Sequence, residues 1–204
     1  MKTLPLAAAA LGLAAFLAAT PTDARSKGEG PLAQAIGAHE SSHSYSVPAA
    51  GTIEVAFSPN EGSEALVVKV IDSARSDLRV LSYSFTSAPV TAALLRAYKR
   101  GVAVHVVVDR RNNVSSDKAR AALSALATAG ADVRTIGAYP IHHDKVIVAD
   151  RQTVELGSFN YSDAAARKNS ENVLVNWGNP KLAEVYLRHF ERNYRQADSY
   201  HAAY

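Results

Sequence analysis

The sequence predicts an α/β fold, a mixed, largely parallel sheet with helices on both faces. Two observations predict it. From residue 52 onwards, short strand-like segments alternate with longer segments of helical periodicity, and one strand-like segment, Val102–Val108 (VAVHVVV), is almost wholly apolar. Such alternation is typical of helices packed on a sheet, and such an apolar run is typical of a strand buried on both faces. The 204 residues suffice for one substantial core.

Several segments have the alternation or the apolar run of a β-strand. In chain order they are Thr52–Phe57, Leu78–Tyr83, Val102–Val108, a short segment near Val133, Lys145–Ala149, Val154–Ser158 and Asn172–Val175. A turn at residues 150–152 joins two of these strands closely enough to predict a hairpin. Because the strands of a hairpin are antiparallel, the sheet is expected to be mixed.

In the predicted helices, apolar residues recur every three or four positions and so fall on one face. The predicted helices are Ser63–Ala74, Pro89–Arg100, Asp117–Ala129, a helical turn after Asn160, and a last helix from Pro180 to about Arg195. Gly101 and Gly130 directly follow two of them, as glycine commonly does at a helix C-terminus.

The first 51 residues are expected to precede the domain, which spans residues 52–204. Residues 1–24 have the features of a cleavable signal peptide, since Lys2 precedes a mainly apolar run, Leu4–Ala19, and small residues surround Ala24. An uncleaved anchor is the alternative, although this run is shorter than the roughly 20 residues that a membrane span needs. Residues 25–51 are expected to form a loosely ordered leader. The predicted location is therefore periplasmic or secreted.

Composition excludes several kinds of site. The chain has no cysteine, which excludes disulfides, thiolate metal sites and a cysteine nucleophile. Its net charge of +3 is compatible with a polyanionic substrate without requiring one. His39–His43 (HESSH) matches the H-E-x-x-H pattern of zinc proteases, but Gly37 and the serines disfavour a helix there, and we interpret the match as chance. We predict no metal and no cofactor.

The polar residues that indicate chemistry concentrate in residues 141–172, at the ends of two predicted strands. Their pattern is H-x-K-x4-D-x6-G-S-x-N, with fixed positions at His143, Lys145, Asp150, Gly157, Ser158 and Asn160. Residues i and i+2 of a strand face the same way, so His143 and Lys145 are expected in one pocket. With the neutral donors Ser158 and Asn160 beside them, these cations suit an anion, and phosphate is the natural candidate.

Phosphodiester cleavage needs a nucleophile, stabilisation of charge on the phosphoryl oxygens and a proton for the leaving oxygen. Histidine attacks phosphorus itself when a carboxylate holds its other nitrogen, and Glu171 is our candidate for that carboxylate beside His143. Asp150, in the hairpin turn, could act in catalysis or only cap backbone N–H groups. Shared metal ligation by His142 and His143 is not expected, since neighbouring strand residues face opposite ways.

This pattern resembles the signature of the phospholipase D superfamily. The single copy, the short chain, the predicted signal peptide and Glu171 at its spacing from Ser158 resemble the small bacterial endonucleases of that superfamily, the Nuc type. The resemblance runs from about Thr52 to Tyr194 and implies the phospholipase D/nuclease fold. It also implies a homodimer with the active site on its two-fold axis.

The resemblance further implies roles for the motif residues. His143 of one subunit would attack phosphorus to give a phosphohistidine, and the partner subunit's His143 would protonate the leaving oxygen and then activate water. Lys145 and Asn160 of both subunits would bind the phosphoryl oxygens. Ser158 would support them, and Glu171 would orient His143.

Residues outside the motif are candidates for binding a polyanion or for stacking on bases. The basic ones are Arg110, Arg111, Lys118, Arg120, Arg134, Arg167 and Lys168, of which Arg110, Arg111 and Arg167 are our substrate-binding candidates. Such charges are also commonly just a solvated surface. The aromatic candidates are Phe159, Tyr161 and Trp177, for which packing in the core or an interface is the alternative.

We therefore predict a metal-independent phosphodiesterase, foremost a nonspecific endonuclease acting on DNA, with RNA as a further possible substrate. One alternative is a phospholipase D that hydrolyses phosphatidylcholine-type lipids. The other is a catalytically inactive nucleic-acid-binding protein. We expect no exposed apolar loop beside the motif, and this favours nucleic acid over lipid.

Overall fold

A computed structural model of the chain describes residues 44–202, whose strands form one sheet. In chain order these strands are β1 (Thr52–Ser58), β2 (Asp77–Ser82), β3 (Ala103–Asp109), β4 (Asp132–Ile136), β5 (Lys145–Ala149), β6 (Thr153–Gly157), β7 (Glu171–Trp177) and β8 (Asp198–Ser199). Across the sheet the order is β1-β7-β6-β5-β2-β3-β4-β8. The predicted signal peptide, most of the predicted leader and the H-E-x-x-H match lie outside the described residues and stay predictions.

The α/β class and the mixed sheet are confirmed, but parallel pairing does not predominate. Only β2–β3 and β3–β4 are parallel, and the other five neighbouring pairs are antiparallel. The reason lies in the connections. The chain runs from β5 through β6 to β7 between direct neighbours, with the predicted tight turn between the first two, and strands joined in this way are antiparallel.

The helices of residues 44–202 are α1 (Ser63–Ser73), α2 (Ala88–Lys99), α3 (Arg110–Val114), α4 (Asp117–Ala129), α5 (Asp163–Arg167) and α6 (Pro180–Tyr194). The side chains of Ser87 and Ser116 cap α2 and α4 by accepting hydrogen bonds from backbone N–H groups of the first turn. Gly130 ends α4 in the left-handed conformation, at φ 102°, as its position predicted. Among these residues no helix is long and apolar enough to cross a membrane.

Helices cover both faces of the sheet, as predicted. The larger core lies between the sheet and α1, α2 and α4, with Val70, Leu94 and Leu123 wholly buried. The opposite face packs against α6, chiefly through Phe190. Strand β5 contributes to both cores by alternation, which explains why its sequence, KVIVA, is apolar throughout.

Within residues 44–202, nothing covers one part of the α6 side of the sheet. The edge strand β1 exposes Ile53 (64%), Val55 (53%) and Phe57 (52%) there, while Glu54 and Ala56 between them face α1. We call Ile53, Val55 and Phe57 the β1 stripe. Its last residue, Phe57, pairs with Asn172 of β7, the residue after Glu171. The stripe is therefore an apolar surface that reaches the edge of the sheet where Glu171 lies.

Asp150 links the β5–β6 turn by hydrogen bonds to the chain between α1 and β2. Its Oδ1 accepts from the N–H groups of Ser76 (2.8 Å) and Asp77 (3.0 Å) and from the Ser76 hydroxyl (2.8 Å). Its Oδ2 accepts from the N–H of Arg75 at 2.9 Å. Burial raises the pKa of Asp150, but these hydrogen bonds outweigh it and hold the pKa below its ordinary value.

The position of Asp150 corrects its inclusion among the catalytic residues. It follows the last residue of β5, whereas Lys145 is the first, so the two lie about 16 Å apart at a strand rise of roughly 3.3 Å per residue. The second role that the sequence allowed, capping backbone N–H groups, is the one that the contacts support.

We expect Asp150→Ala to lower the free energy of unfolding by about 2 to 3 kcal/mol, because hydrogen bonds to a charged acceptor are lost. Since the folded-state pKa is depressed, this stabilisation is present above about pH 4 and is lost as the pH falls through the folded-state value. Urea unfolding of wild type and variant, at pH 7 and in acid, measures both effects. The turnover of the folded variant should match wild type, and a turnover loss beyond the unfolded fraction would return Asp150 to the catalytic set.

Candidate active site

The other motif residues meet at one edge of the sheet, where β2 and β6 end and where β5 and β7 begin. Lys145, the first residue of β5, pairs with Ser82, the last of β2. Gly157, the last residue of β6, pairs with Val173, two residues after the start of β7. The strands that the motif connects, β5 and β6, are therefore neighbours in the sheet as well as in the chain.

Glycine is required at position 157 by the close approach of β6 and β7. A Cβ atom there would lie 2.2 Å from the carbonyl oxygen of Asn172. The same oxygen accepts hydrogen bonds from the N–H groups of Ser158 (3.1 Å) and Phe159 (3.3 Å). The G-S-x-N part of the motif is thus fixed to β7 by its backbone.

Ser158 connects the two strands through its side chain as well. Its Oγ donates to Oε2 of Glu171 at 2.6 Å and accepts from the N–H of Asn172 at 3.1 Å. The other carboxylate oxygen of Glu171 accepts from Asn169 at 3.1 Å. Glu171 is therefore held at the site by two neighbours, Ser158 and Asn169.

Lys145 is a buried cation, 5% exposed. Its Nζ donates to the backbone carbonyl of His143 at 2.8 Å and lies 5.4 Å from the centre of the Tyr83 ring. Burial lowers the pKa of Lys145 below its ordinary value, although the charges of Glu171 and Asp144 oppose this. A desolvated ammonium that is only partly compensated gains strongly from an incoming anion.

His143 is exposed, and its ring lies 4.8 Å from the Tyr83 ring, centre to centre. Within residues 44–202, neither nitrogen of this ring has a hydrogen-bond partner, so both are available for chemistry. The hydrogen bond expected from the resemblance, between Glu171 and His143, is not formed here. The orienting role of Glu171 stays a prediction.

The side-chain amide of Asn160 makes no hydrogen bond within the described part of the chain, and its oxygen is buried. The residue after it fixes the segment, since the Tyr161 carbonyl accepts from the N–H groups of Thr86 and Ser87, both at 2.8 Å. Native proteins seldom leave a buried polar atom unpaired without a functional reason. The NH₂ group of this amide, beside Ser158, is the part that can donate to an anionic ligand.

Sequence reasoning missed a buried pair that includes Tyr161, the residue after Asn160. The Tyr161 hydroxyl donates to Oε2 of Glu155 at 2.7 Å, and both residues are wholly buried. Burial raises the pKa of Glu155 to about 8, although the Tyr161 hydrogen bond acts the other way, so this carboxyl is mostly protonated at pH 7. Tyr161 and the equally buried Phe159 therefore pack in the core rather than stack on bases.

Sequence reasoning also missed how the segment that bears His143 is anchored on both sides. The N–H of His142 donates to Oδ2 of Asp109 at 2.9 Å. On the other side, Oδ2 of Asp144 lies 2.8 Å from Nε2 of His189 in α6 and 3.5 Å from Nδ1 of His142. We call the group His142, Asp144 and His189 the histidine clamp.

The pKa shifts within the histidine clamp show which of its groups carries a charge. Burial lowers the pKa of His142, against the opposing charges of Asp144 and Asp109. Burial raises the pKa of Asp144, but the hydrogen bond from His189 and the nearby positive charges outweigh it and keep the pKa below its ordinary value. Asp144 is thus an anion between two imidazoles, and no group of residues within 44–202 has the geometry of a metal site.

The basic residues predicted to bind a polyanion lie in separate parts of the structure. Four of them form ion pairs: Arg110 with Asp198, Arg120 with Asp117, Arg134 with Asp132 and Arg167 with Asp163. Lys118 and Arg167 line a groove of about 630 Å³ beside α2, α4 and α5, whereas Arg110 and Arg111 line a cleft of about 560 Å³ beside α3. Substrate contact by Arg110, Arg111 and Arg167 stays a prediction.

Comparison with known proteins agrees with this geometry. Residues 67–194 match the family described as "Cardiolipin synthase, PLD-like domain". The crystal structure of a phospholipase D family member, Nuc from Salmonella typhimurium, is similar at 43% sequence identity and a TM-score of 0.71, and the match covers 73% of this chain and 97% of that one.

Two proteins named for lipid hydrolysis are also similar. "Phospholipase D" of Rickettsia felis is 34% identical over 138 residues, which cover 68% of this chain and 67% of that protein. "Mitochondrial cardiolipin hydrolase" of Danio rerio is 31% identical over 127 residues, which cover 62% of this chain and 54% of that protein.

We expect Asp144→Ala to lower kcat up to about 100-fold, with a small effect on KM, because the segment that presents His143 loses its anchor on α6 and small misplacements of a catalytic group are costly. Hydrolysis of bis(p-nitrophenyl) phosphate measures this. The matched control is Asp132→Ala, which removes another carboxylate paired with a histidine, His105 at 3.0 Å, from the opposite end of the sheet. Equal kcat values for the two variants would contradict a positioning role for Asp144.

Proposed function

The chain belongs to the phospholipase D superfamily of phosphodiesterases, and on that premise we propose that it is an endonuclease that cleaves DNA, and also RNA, without a metal ion. The observation that carries the choice of substrate is the similarity to Nuc, which extends over 97% of the Nuc chain at 43% identity. The motif resembles that of the Nuc-type endonucleases throughout. The site supports the chemistry, since an imidazole and an amide that have no partner among residues 44–202 lie with a buried ammonium at one edge of the sheet.

In the proposed reaction a ring nitrogen of His143 attacks phosphorus and the bond to the leaving oxygen breaks. The leaving oxygen takes a proton from the partner's His143. That imidazole then removes a proton from water, the hydroxide attacks phosphorus, and the bond to the first histidine breaks, so that one water is consumed per phosphodiester. Lys145 and Asn160 donate to the phosphoryl oxygens.

This reaction needs a second histidine, and we propose that a second copy of the chain supplies it. The β1 stripe supports this, since it is an apolar surface that α6 leaves uncovered. Exposed apolar surfaces of this kind are typical of protein interfaces. Phe57 lies opposite Asn172, next to Glu171, so a partner seated on the stripe would adjoin the active site.

A phospholipase D acting on lipid is the second candidate, and one structural observation favours it. Tyr139 and Ile141 are 37% and 53% exposed, within four residues of His143. The expectation that no exposed apolar loop lies beside the motif was therefore wrong. Periodicity did not reveal these residues because they belong to an irregular segment between β4 and β5, where side-chain exposure follows no repeat. Such a segment could contact acyl chains at a lipid surface.

To test the function, the purified protein is incubated in EDTA with supercoiled plasmid and, separately, with phosphatidylcholine vesicles. We expect plasmid nicking that His143→Ala reduces by about 10³-fold or more, because removing the nucleophile leaves only binding effects. Choline release with intact plasmid would reject the endonuclease in favour of the phospholipase. If neither substrate is cleaved, the remaining candidate is the catalytically inactive nucleic-acid-binding protein.

To test the dimer, Val55→Asp is compared with Thr52→Asp by light scattering and by nicking activity. Thr52 is also exposed on β1 but points to the other face. We expect Val55→Asp to yield monomers with little activity, because an unpaired charge would be buried at the interface. Thr52→Asp should stay dimeric and active. An active wild-type monomer, or a dimeric Val55→Asp variant, would contradict the proposal.

A further inference from the structure

Two adjoining clefts lie along the edge of the sheet that carries His143. The larger, of about 560 Å³, lies between α3 and residues 136–140, and we call it the α3 cleft; its lining includes Arg110, Arg111, Val114 and Tyr139. The smaller, of about 230 Å³, is lined by His143 together with residues of the histidine clamp. Tyr139 lines both clefts, so the α3 cleft adjoins the space in front of the nucleophile.

We propose that the α3 cleft binds the nucleotide next to the scissile phosphate, with its base stacked on Tyr139 and its outer phosphate on Arg111. This inference rests on the proposed endonuclease function and names a substrate subsite for it. The volume of the cleft falls in the range of small-molecule sites and exceeds what a single base needs.

Charge favours a nucleic acid in this cleft over a phosphatidylcholine-type lipid. The scissile phosphate is already provided for by His143, Lys145 and Asn160. A phosphatidylcholine-type lipid has no second phosphate, whereas in a nucleic acid the next phosphate follows one nucleotide away. Arg111 is exposed and its guanidinium has no ion pair or hydrogen bond among residues 44–202, while Arg110 beside it is paired with Asp198. Arg111 is thus the cation available for that second phosphate.

The Tyr139 ring is partly exposed beside His142. Its hydroxyl accepts a hydrogen bond from Gln196 at 3.2 Å, and its ring lies 6.4 Å from that of His142, inclined by 23°. A partly exposed aromatic ring offers a stacking surface to any base. Because a paired base is already stacked in the duplex, this subsite should bind unpaired nucleotides.

One residue ties the cleft to the catalytic segment. Oδ1 of Asp109 accepts from the N–H of Asn112 in α3 at 2.7 Å, and its Oδ2 accepts from the N–H of His142 at 2.9 Å. Asp109 is itself buried, at 4% exposure. The helix that carries Arg111 and the residue that precedes His143 are therefore fixed to the same carboxylate, as a subsite in register with the nucleophile requires.

The test compares kcat/KM for a single-stranded oligonucleotide with kcat/KM for bis(p-nitrophenyl) phosphate, which has no neighbouring nucleotide. We expect Tyr139→Ala and Arg111→Ala each to lower the ratio of the two values about tenfold, as loss of one stacking or phosphate contact predicts. Tyr139→Phe, which keeps the ring, should retain the wild-type ratio. So should Arg75→Ala, which removes an exposed arginine at the opposite end of the sheet.

An unchanged ratio in Tyr139→Ala and Arg111→Ala, while the wild type cleaves the oligonucleotide, would overturn the subsite and leave the endonuclease intact. Selective loss of phosphatidylcholine hydrolysis in these variants would also overturn it, since the cleft would then hold acyl chains. A wild type that hydrolyses bis(p-nitrophenyl) phosphate but no oligonucleotide would overturn the proposed function itself, and the subsite with it.

Discussion

The close approach of β6 to β7 at Gly157 is the constraint on which the site depends. With no Cβ at this position, the Asn172 carbonyl comes near enough to accept from two successive N–H groups, those of Ser158 and Phe159. The first bond brings the Ser158 hydroxyl to Glu171. The second turns the chain inward, so that Phe159 and Tyr161 are buried and Asn160 between them is left at the edge. One backbone contact thus positions the second half of the motif.

The first half of the motif depends on charges that are removed from water. Lys145 and the histidine clamp lie beside the exposed His143 as partly or wholly buried groups: Lys145 donates to a carbonyl, and Asp144 is an anion between two imidazoles. Burial keeps Glu155, the partner of Tyr161, mostly protonated at pH 7, so this carboxyl adds little negative charge near the motif. The cation that this half of the motif offers to a phosphate is therefore Lys145, and the modest net charge of the chain says little about it.

How much could be predicted depended on whether a feature is local in the chain. Strand β5 was predicted to the residue, because its apolar run and its polar ends are contiguous. The direction of β1 was not predictable, since its partner β7 lies more than 110 residues away and periodicity carries no information on pairing. Helix α3 was missed because five residues are too few to show a repeat. The pairing of Asp144 with His189, 45 residues apart, leaves no trace in the sequence.

The motif predicts the chemistry without predicting the substrate, because attack on phosphorus requires the same groups whether the leaving oxygen belongs to a sugar or to an alcohol. The residues that would discriminate lie outside it, in α3 and the segment before His143. In the proposed dimer a two-fold axis would place one α3 cleft on each side of the scissile phosphate. A nucleic acid strand has a direction and the axis does not. The two clefts would therefore offer identical groups to the two nucleotides that flank the scissile phosphate, although these nucleotides are chemically different neighbours of it. Stacking and phosphate binding tolerate that difference, whereas hydrogen bonds to base edges would not, and this symmetry is the physical reason to expect cleavage without base preference.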